Sequence, residues 1–126
     1  MPDIQVDDIR RWHVDGRGWR DIGYHFVVER VNGEFFAIAG RPLYMAGAHT
    51  RGRNTTHIGV ALVGDFSEAA LPQGQAACAA RLIAGLCSVT GLTADDVSFH
   101  RDHASTQCPG DGVVTSNLVE MVADLL

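Results

Sequence analysis

Hydrophobic and polar positions change period several times along the chain, and each change marks a boundary. From Gln5 to about Val14, the residues Val6, Ile9 and His13 fall on one side at i, i+3 and i+7. Asp7 and Asp8 suit a helix's first turn, so this spacing predicts a helix, stopped by Gly16-Arg17-Gly18. YHFVVE, residues 24–29, alternates and is rich in β-formers; Asn32-Gly33 then turns the chain, and EFFAIA comes next from Glu34. Together these predict a hairpin. Residues 40–54 carry Gly40, Gly47 and Gly52 with no clear period, the pattern of a loop. IGVALVG, residues 58–64, is continuously apolar and reads as a buried strand.

A second helix is predicted from Pro72 to about Val89. Proline suits its start, Cys78, Leu82, Leu86 and Val89 form a stripe at helical spacing, and Gly91 caps it. VSF, residues 97–99, predicts a short strand that runs straight into His100. Val114, Leu118, Met121, Val122 and Leu125 mark a C-terminal helix. The order α-β-β-β-α-β-α, without repeat or linker, predicts a single α/β domain over residues 1–126 with a mixed sheet.

Composition narrows the function. At 126 residues, with 46% hydrophobic and 20% charged, the chain can bury a real core and is not of the disordered class. A net charge of -5 and the absence of a Lys/Arg-rich run argue against a nucleic-acid partner, Arg51 and Arg53 being only a local basic pair. No apolar run approaches the ~18 residues of a membrane helix, so no membrane insertion is expected. Asp3, Asp7, Asp8, Arg10 and Arg11 crowd the first twenty residues, where a signal peptide would need an apolar stretch; none is expected.

Cys78 and Cys87 lie nine apart on the second predicted helix, where ~100° per residue points them to opposite sides. They read as small buried residues rather than a disulfide. Cys108 differs, because it stands in HRDHASTQCPGD, residues 100–111. A strand end is rigid and a loop adaptable, so His100 and Cys108 could converge on one ion, and imidazole and thiolate are both good zinc donors. His103 is a further candidate. His25 in DIGYHF and His49 in AGAHTRG sit among glycines, where a ligand can come close to backbone. His13 and His57 read as structural histidines.

Three stretches carry a resemblance: RRWHVDGRGWRDIGYHF, GRPLYMAGAHTRGRNTTHIGVALVGDF and FHRDHASTQCPGD. In order and in spacing they closely resemble the zinc amidase family that includes peptidoglycan recognition proteins and phage lysozyme-type amidases. The match runs from Ile9 to Asp111. The resemblance implies a central mixed sheet flanked by helices, and hydrolysis of the amide joining the lactyl group of N-acetylmuramic acid to L-alanine in peptidoglycan. His100 and Cys108 match two of the family's three zinc ligands. Tyr24 matches its active-site tyrosine, and Thr106 a position held by Thr in the recognition-protein branch and Lys in the phage branch. His49 and Asn54, with His25, are candidates for the substrate groove.

The family's first zinc ligand is a histidine on an N-terminal strand, in a context like V-H-x-T. Here only Met1 to Ile4 precede the first predicted helix. The chain is then a shortened version, or it takes its third ligand from His25, His49, His103 or a neighbouring subunit, or it keeps the groove of a muropeptide-binding module without catalysis. A missing strand would bare a sheet edge, so pairing into a homodimer is an expectation. Without a signal peptide, a phage-like enzyme would stay cytoplasmic until released to the cell wall.

Overall fold

A computed structural model of the protein describes residues 6–17, 23–50, 52–54 and 56–126. Gln5, Gly18 and Arg51, which bear on the first helix's ends and on the basic pair, lie outside the described residues. The chain gathers into two compact units, Met1–Gly64 and Asp65–Leu126.

The first unit is built on a hairpin. Helix α1, Val6–Arg11, has Asp7 and Asp8 in its first turn and Arg10 and Arg11 in its last, both favourable to the helix dipole. Arg10 pairs with Asp7 at 3.2 Å and Arg11 with Asp8 at 3.4 Å. A π-type turn, Trp12–Gly16, carries the helix past the predicted end. Strand β1, Phe26–Val31, pairs antiparallel with β2, Glu34–Ala39, from Val31↔Glu34 to Phe26↔Ala39. Asn32 (φ 52°) and Gly33 (φ 82°) both take left-handed backbone, as a two-residue hairpin turn of this hand requires.

Strand β3, Val60–Leu62, lies parallel to β1 on its other side, giving a mixed sheet of order β2-β1-β3. Central β1 is covered on both faces: Val27 and Val28 are both fully buried. Ile9, Tyr24, Ile38, Ala61 and Val63 pack against Val27. The apolar run 58–64 predicts a buried strand throughout. Only Val60–Leu62 pair, and they are half-buried, because β3 is an outer strand of the described sheet with one neighbour.

The second unit is helical. Helix α2, Gln73–Thr90, starts after Pro72 and ends at Gly91, whose left-handed backbone (φ 78°) lets its N–H reach the Cys87 carbonyl at 2.9 Å. Its buried face is Ala76, Ala79, Ala80, Ala84 and Cys87. This corrects the predicted stripe: Val89 is 79% exposed and Cys78 only half-buried. The reason is the partner. Helix α4, Leu118–Leu125, packs on α2, and an alanine face admits close approach while Leu118 and Val122 supply the bulk.

The C-terminal helix is also broken in two. Helix α3 spans Asp111–Val114, and α4 begins after Thr115-Ser116-Asn117. There Thr115 Oγ1 donates to the Asp111 carbonyl (2.7 Å) and Ser116 Oγ to the Val113 carbonyl (2.6 Å), hydroxyls competing with the helix ladder. Residues 97–99 are not a paired strand. Val97 and Phe99 are extended, but a tight 3-10 turn, His100–Asp102, comes at once. The Phe99 N–H that a ladder would use donates instead to Asp102 Oδ2 at 2.8 Å. The protein is thus of α/β class with a small mixed sheet and helices.

The face assignment of α2 is testable. Ala80→Leu forces a branched side chain into a closed interface and should cost about 1–3 kcal/mol. Val89→Ala should change stability by under about 0.5 kcal/mol. Urea midpoints of the two variants check this; the reverse ranking would restore the predicted stripe.

Candidate functional site

In the second unit, His100 opens the 3-10 turn and Cys108 stands beyond it, and the backbone between them closes on itself. The Arg101 N–H donates to the Cys108 carbonyl at 2.9 Å, tying the residue after His100 directly to Cys108. The Ala104 N–H donates to the His100 carbonyl at 3.1 Å. Thr106 Oγ1 accepts the Cys108 N–H at 3.2 Å, which leaves its own proton to donate elsewhere. His100, Thr106 and Cys108 therefore belong to one closed loop. Thr106 and Cys108 are exposed and His100 half-buried. Partial burial pushes the Cys108 thiol above its ordinary range, with the Arg101 guanidinium pulling the other way.

The segment after the cysteine is anchored. The Cys108-Pro109 peptide is cis, and Gly110 has φ 99°. A Cβ on Gly110 or Gly112 would overlap the backbone of residues 66–69, and the Gly112 N–H donates to the Phe66 carbonyl at 2.8 Å. PGDG is thus pressed onto the segment that leads to α2, which explains its small residues.

In the first unit, Tyr24 is half-buried just before β1, against Val27 and 5.8 Å from the His13 ring. His13 Nδ1 accepts the Gly23 N–H at 2.8 Å. His25 is buried, at 3% exposure, and both its ring nitrogens meet backbone: Nδ1 accepts the Gly59 N–H (3.0 Å) and Nε2 donates to the Met45 carbonyl (2.9 Å). It pins the 40s loop and the approach to β3 onto the head of β1. His49 meets it edge-on at 5.8 Å, its Nε2 donating to the His57 carbonyl (3.1 Å) and its Nδ1 meeting the Thr50 hydroxyl (3.2 Å). Gly47 and Gly59 flank that ring so closely that a Cβ on either would overlap it. Asn54 Oδ1 accepts both the His49 and Thr50 N–H groups, at 2.8 and 2.9 Å, and so shapes the loop. A cleft of about 320 Å³ lies here, lined among others by His25, Tyr44, Asn54, Thr56 and His57.

The donor chemistry can be weighed against a zinc ion. An imidazole and a thiol from one closed loop suit it, but a catalytic zinc takes three protein donors. Among the described residues no three His, Cys, Asp or Glu side chains gather as a metal site. The three histidines considered as the third donor all have ring nitrogens engaged: His25 and His49 as above, and His103 through Nε2 to Ser98 Oγ at 2.8 Å. The described residues offer two donors of the three.

The family model described as N-acetylmuramoyl-L-alanine amidase matches residues 4–111, most of the chain. The chain belongs to the N-acetylmuramoyl-L-alanine amidase family. An N-acetylmuramoyl-L-alanine amidase of Homo sapiens is 40% identical over 108 residues, 83% of this chain and 18% of that protein. Among solved structures, the amidase LysC from Clostridium intestinale URNW shares the fold with a TM-score of 0.80 at 30% identity, over 99% of this chain and 78% of that one. Human PGRP-IBETAC, solved in complex with glycosamyl muramyl pentapeptide, gives 0.69 at 27% identity, over 85% and 64%. The chain spans under a fifth of the length of the human relative.

Within this amidase-family fold, sequence reasoning passed over Arg101 and the glycines around His49. Gly47 was visible as a loop residue and Gly59 as part of the apolar run 58–64, but their role depends on a ring that only the folded chain brings against both of them, which no local pattern reports. One consequence is titratable. Burial, then Arg17 and Arg41, holds the His13 imidazole below its ordinary pKa of 6.5. The folded state thus binds this proton less readily than the unfolded state. His13's contribution is complete above about pH 6.5 and is lost as pH falls below that value through the folded pKa. His13→Asn keeps an acceptor for Gly23 and removes the titration. Stability of the wild type should fall more steeply than that of the variant between pH 7 and pH 5, by urea midpoints; parallel profiles would refute the assignment.

Proposed function

We propose that the chain is a peptidoglycan amidase that hydrolyses the amide between the lactyl group of N-acetylmuramic acid and L-alanine. The observation that carries this reading is the closed loop holding His100, Thr106 and Cys108 in a chain of the amidase family. His100 and Cys108 are the residues that would hold zinc, with a third donor from outside the described residues. When bound, such an ion supplies a Lewis acid for the scissile carbonyl and a water acidic enough to react near neutral pH.

The chain's own residues supply the rest. Thr106 Oγ1 already accepts the Cys108 N–H, which leaves its hydroxyl proton to donate, and it would donate to the oxygen on which charge develops. Tyr24, steadied by Val27 and the His13 ring, matches the family's active-site tyrosine and would offer a further hydroxyl to the reaction. The cleft beside Asn54 and His57 would take part of the muropeptide, with Asn54 shaping the loop and His25 and His49 bracing it from behind.

A second reading has a specific observation in its favour. Among the described residues no three His, Cys, Asp or Glu side chains gather as a metal site, which suits a module that binds muropeptide without cleaving it. The outer strands β2 and β3 of the described sheet could each take a second copy, making a homodimer; a monomer in light scattering at high concentration would argue against that. An enzyme of this kind would reach the wall from the cytoplasm through a membrane lesion.

Cys108→Ala should abolish release of L-alanine-bearing peptides from peptidoglycan and leave the fold intact by circular dichroism. Full activity in that variant would sink the metal assignment. Tyr24→Phe should lower kcat about 100-fold with KM little changed; unchanged turnover would leave Tyr24 a structural aromatic. Muropeptide binding without release by the wild type would favour the second reading.

A further inference from the structure

Arg101 lies next to one proposed donor, and its contacts bracket the other. Its backbone N–H holds the Cys108 carbonyl at 2.9 Å. Its guanidinium Nη1 donates to Asp111 Oδ1 at 2.9 Å, and Nη2 donates to the Gln107 carbonyl. One residue therefore grips the chain at the position before Cys108, at Cys108 itself and three positions after it. The Arg101 side chain is only 22% exposed, so this is no loose surface pair, although Asp111 is 71% exposed. The far end of the grip is itself fixed, since Gly112 is bonded to Phe66 and Gly110 to Gln107 at 2.8 Å each.

We propose that Arg101 is a positioning residue, whose fork and backbone amide set the separation of the His100 imidazole and the Cys108 thiol. The inference rests on the zinc amidase reading and deepens it. Three observations support it. The two side-chain acceptors are of different kinds, a carbonyl and a carboxylate, and a planar fork reaches both at once whereas an ammonium is a single point of charge. The Arg101 Nε is buried without a hydrogen-bond partner, a cost tolerated where the remaining contacts demand this side chain. And the bonds seen inside the loop are short-range: the His103 and Ala104 N–H groups donate to the His100 carbonyl and the Thr106 hydroxyl accepts the Cys108 N–H, whereas Arg101 spans the loop from one end to the other. A metal donor whose supporting partners are removed characteristically loses 10–100-fold in affinity.

The test uses the full chain as wild type, Arg101→Lys, Arg101→Ala, Asp111→Asn and Cys108→Ala. Zinc is titrated against a chromophoric chelator, and amide hydrogen exchange of metal-free protein is read in peptides covering residues 99–111 and, as a control on folding, in α2. Arg101→Lys should weaken zinc about tenfold or more and speed exchange across residues 101–110, with α2 protection unchanged. Asp111→Asn, which keeps the shape and removes one charge, should weaken zinc less. Wild-type zinc affinity and wild-type loop exchange in Arg101→Lys and Arg101→Ala, with zinc lost in Cys108→Ala, would overturn the proposal and leave the amidase reading standing. A wild type that takes up no zinc, or a Cys108→Ala variant that binds it equally well, would overturn the zinc reading instead. The loop exchange rates would then decide alone whether Arg101 clamps the loop.

Discussion

A loop proposed to present a histidine and a cysteine to one ion gains by being closed beforehand, since otherwise binding must meet the entropy of ordering it. In this protein the closure is the hydrogen bond from the Arg101 N–H to the Cys108 carbonyl. It places the residue after His100 against the residue that bears the thiol. The Thr106 hydroxyl on the Cys108 N–H, the close seating of Gly110 and Gly112 on the backbone of residues 66–69 and the Arg101–Asp111 pair hold the same stretch.

The first unit solves a different problem with the same economy. Its sheet has three described strands, and the head of β1 needs something to hold the long 40s loop onto it. His25 does this with both ring nitrogens, and His49 stacks edge-on against it between two glycines. Imidazole rings serve here as polar struts: each satisfies backbone groups that a loop cannot satisfy by itself. Tyr24 and His13 sit on the neighbouring stretch, so the hydroxyl proposed for chemistry leans on the same scaffold.

Much of this was legible from residues alone. The hairpin, with Asn32-Gly33 at its turn, and the second helix, between Pro72 and Gly91, arise from local chemistry and appear where periodicity puts them. The polar, proline-bearing run 100–111 suggests a loop, and the backbone after His100 does turn back on itself by Cys108. Three features were not. The buried face of α2 is alanine rather than leucine, because a partner helix and not the hydropathy of α2 alone decides which side is covered. The extension at residues 97–99 ends in a 3-10 turn, since Asp102 captures the Phe99 N–H. And no local pattern reports that both ring nitrogens of His25 hold backbone, from Met45 and from Gly59, because those partners come from distant stretches of the chain. Each miss is a tertiary or side-chain partner overriding a local preference.

This amidase-family chain is proposed to break a bond in its muropeptide rather than only to hold it. The most direct measurement is to incubate the purified chain, supplied with zinc, with a defined muramyl-L-alanyl peptide and track the products by mass spectrometry. Two fragments are expected, with masses that sum to the parent plus one water: a muramic acid with a free lactyl carboxylate and a peptide with a free L-alanine amine. Intact muramyl peptide that binds the chain saturably and is recovered unchanged would contradict the proposal.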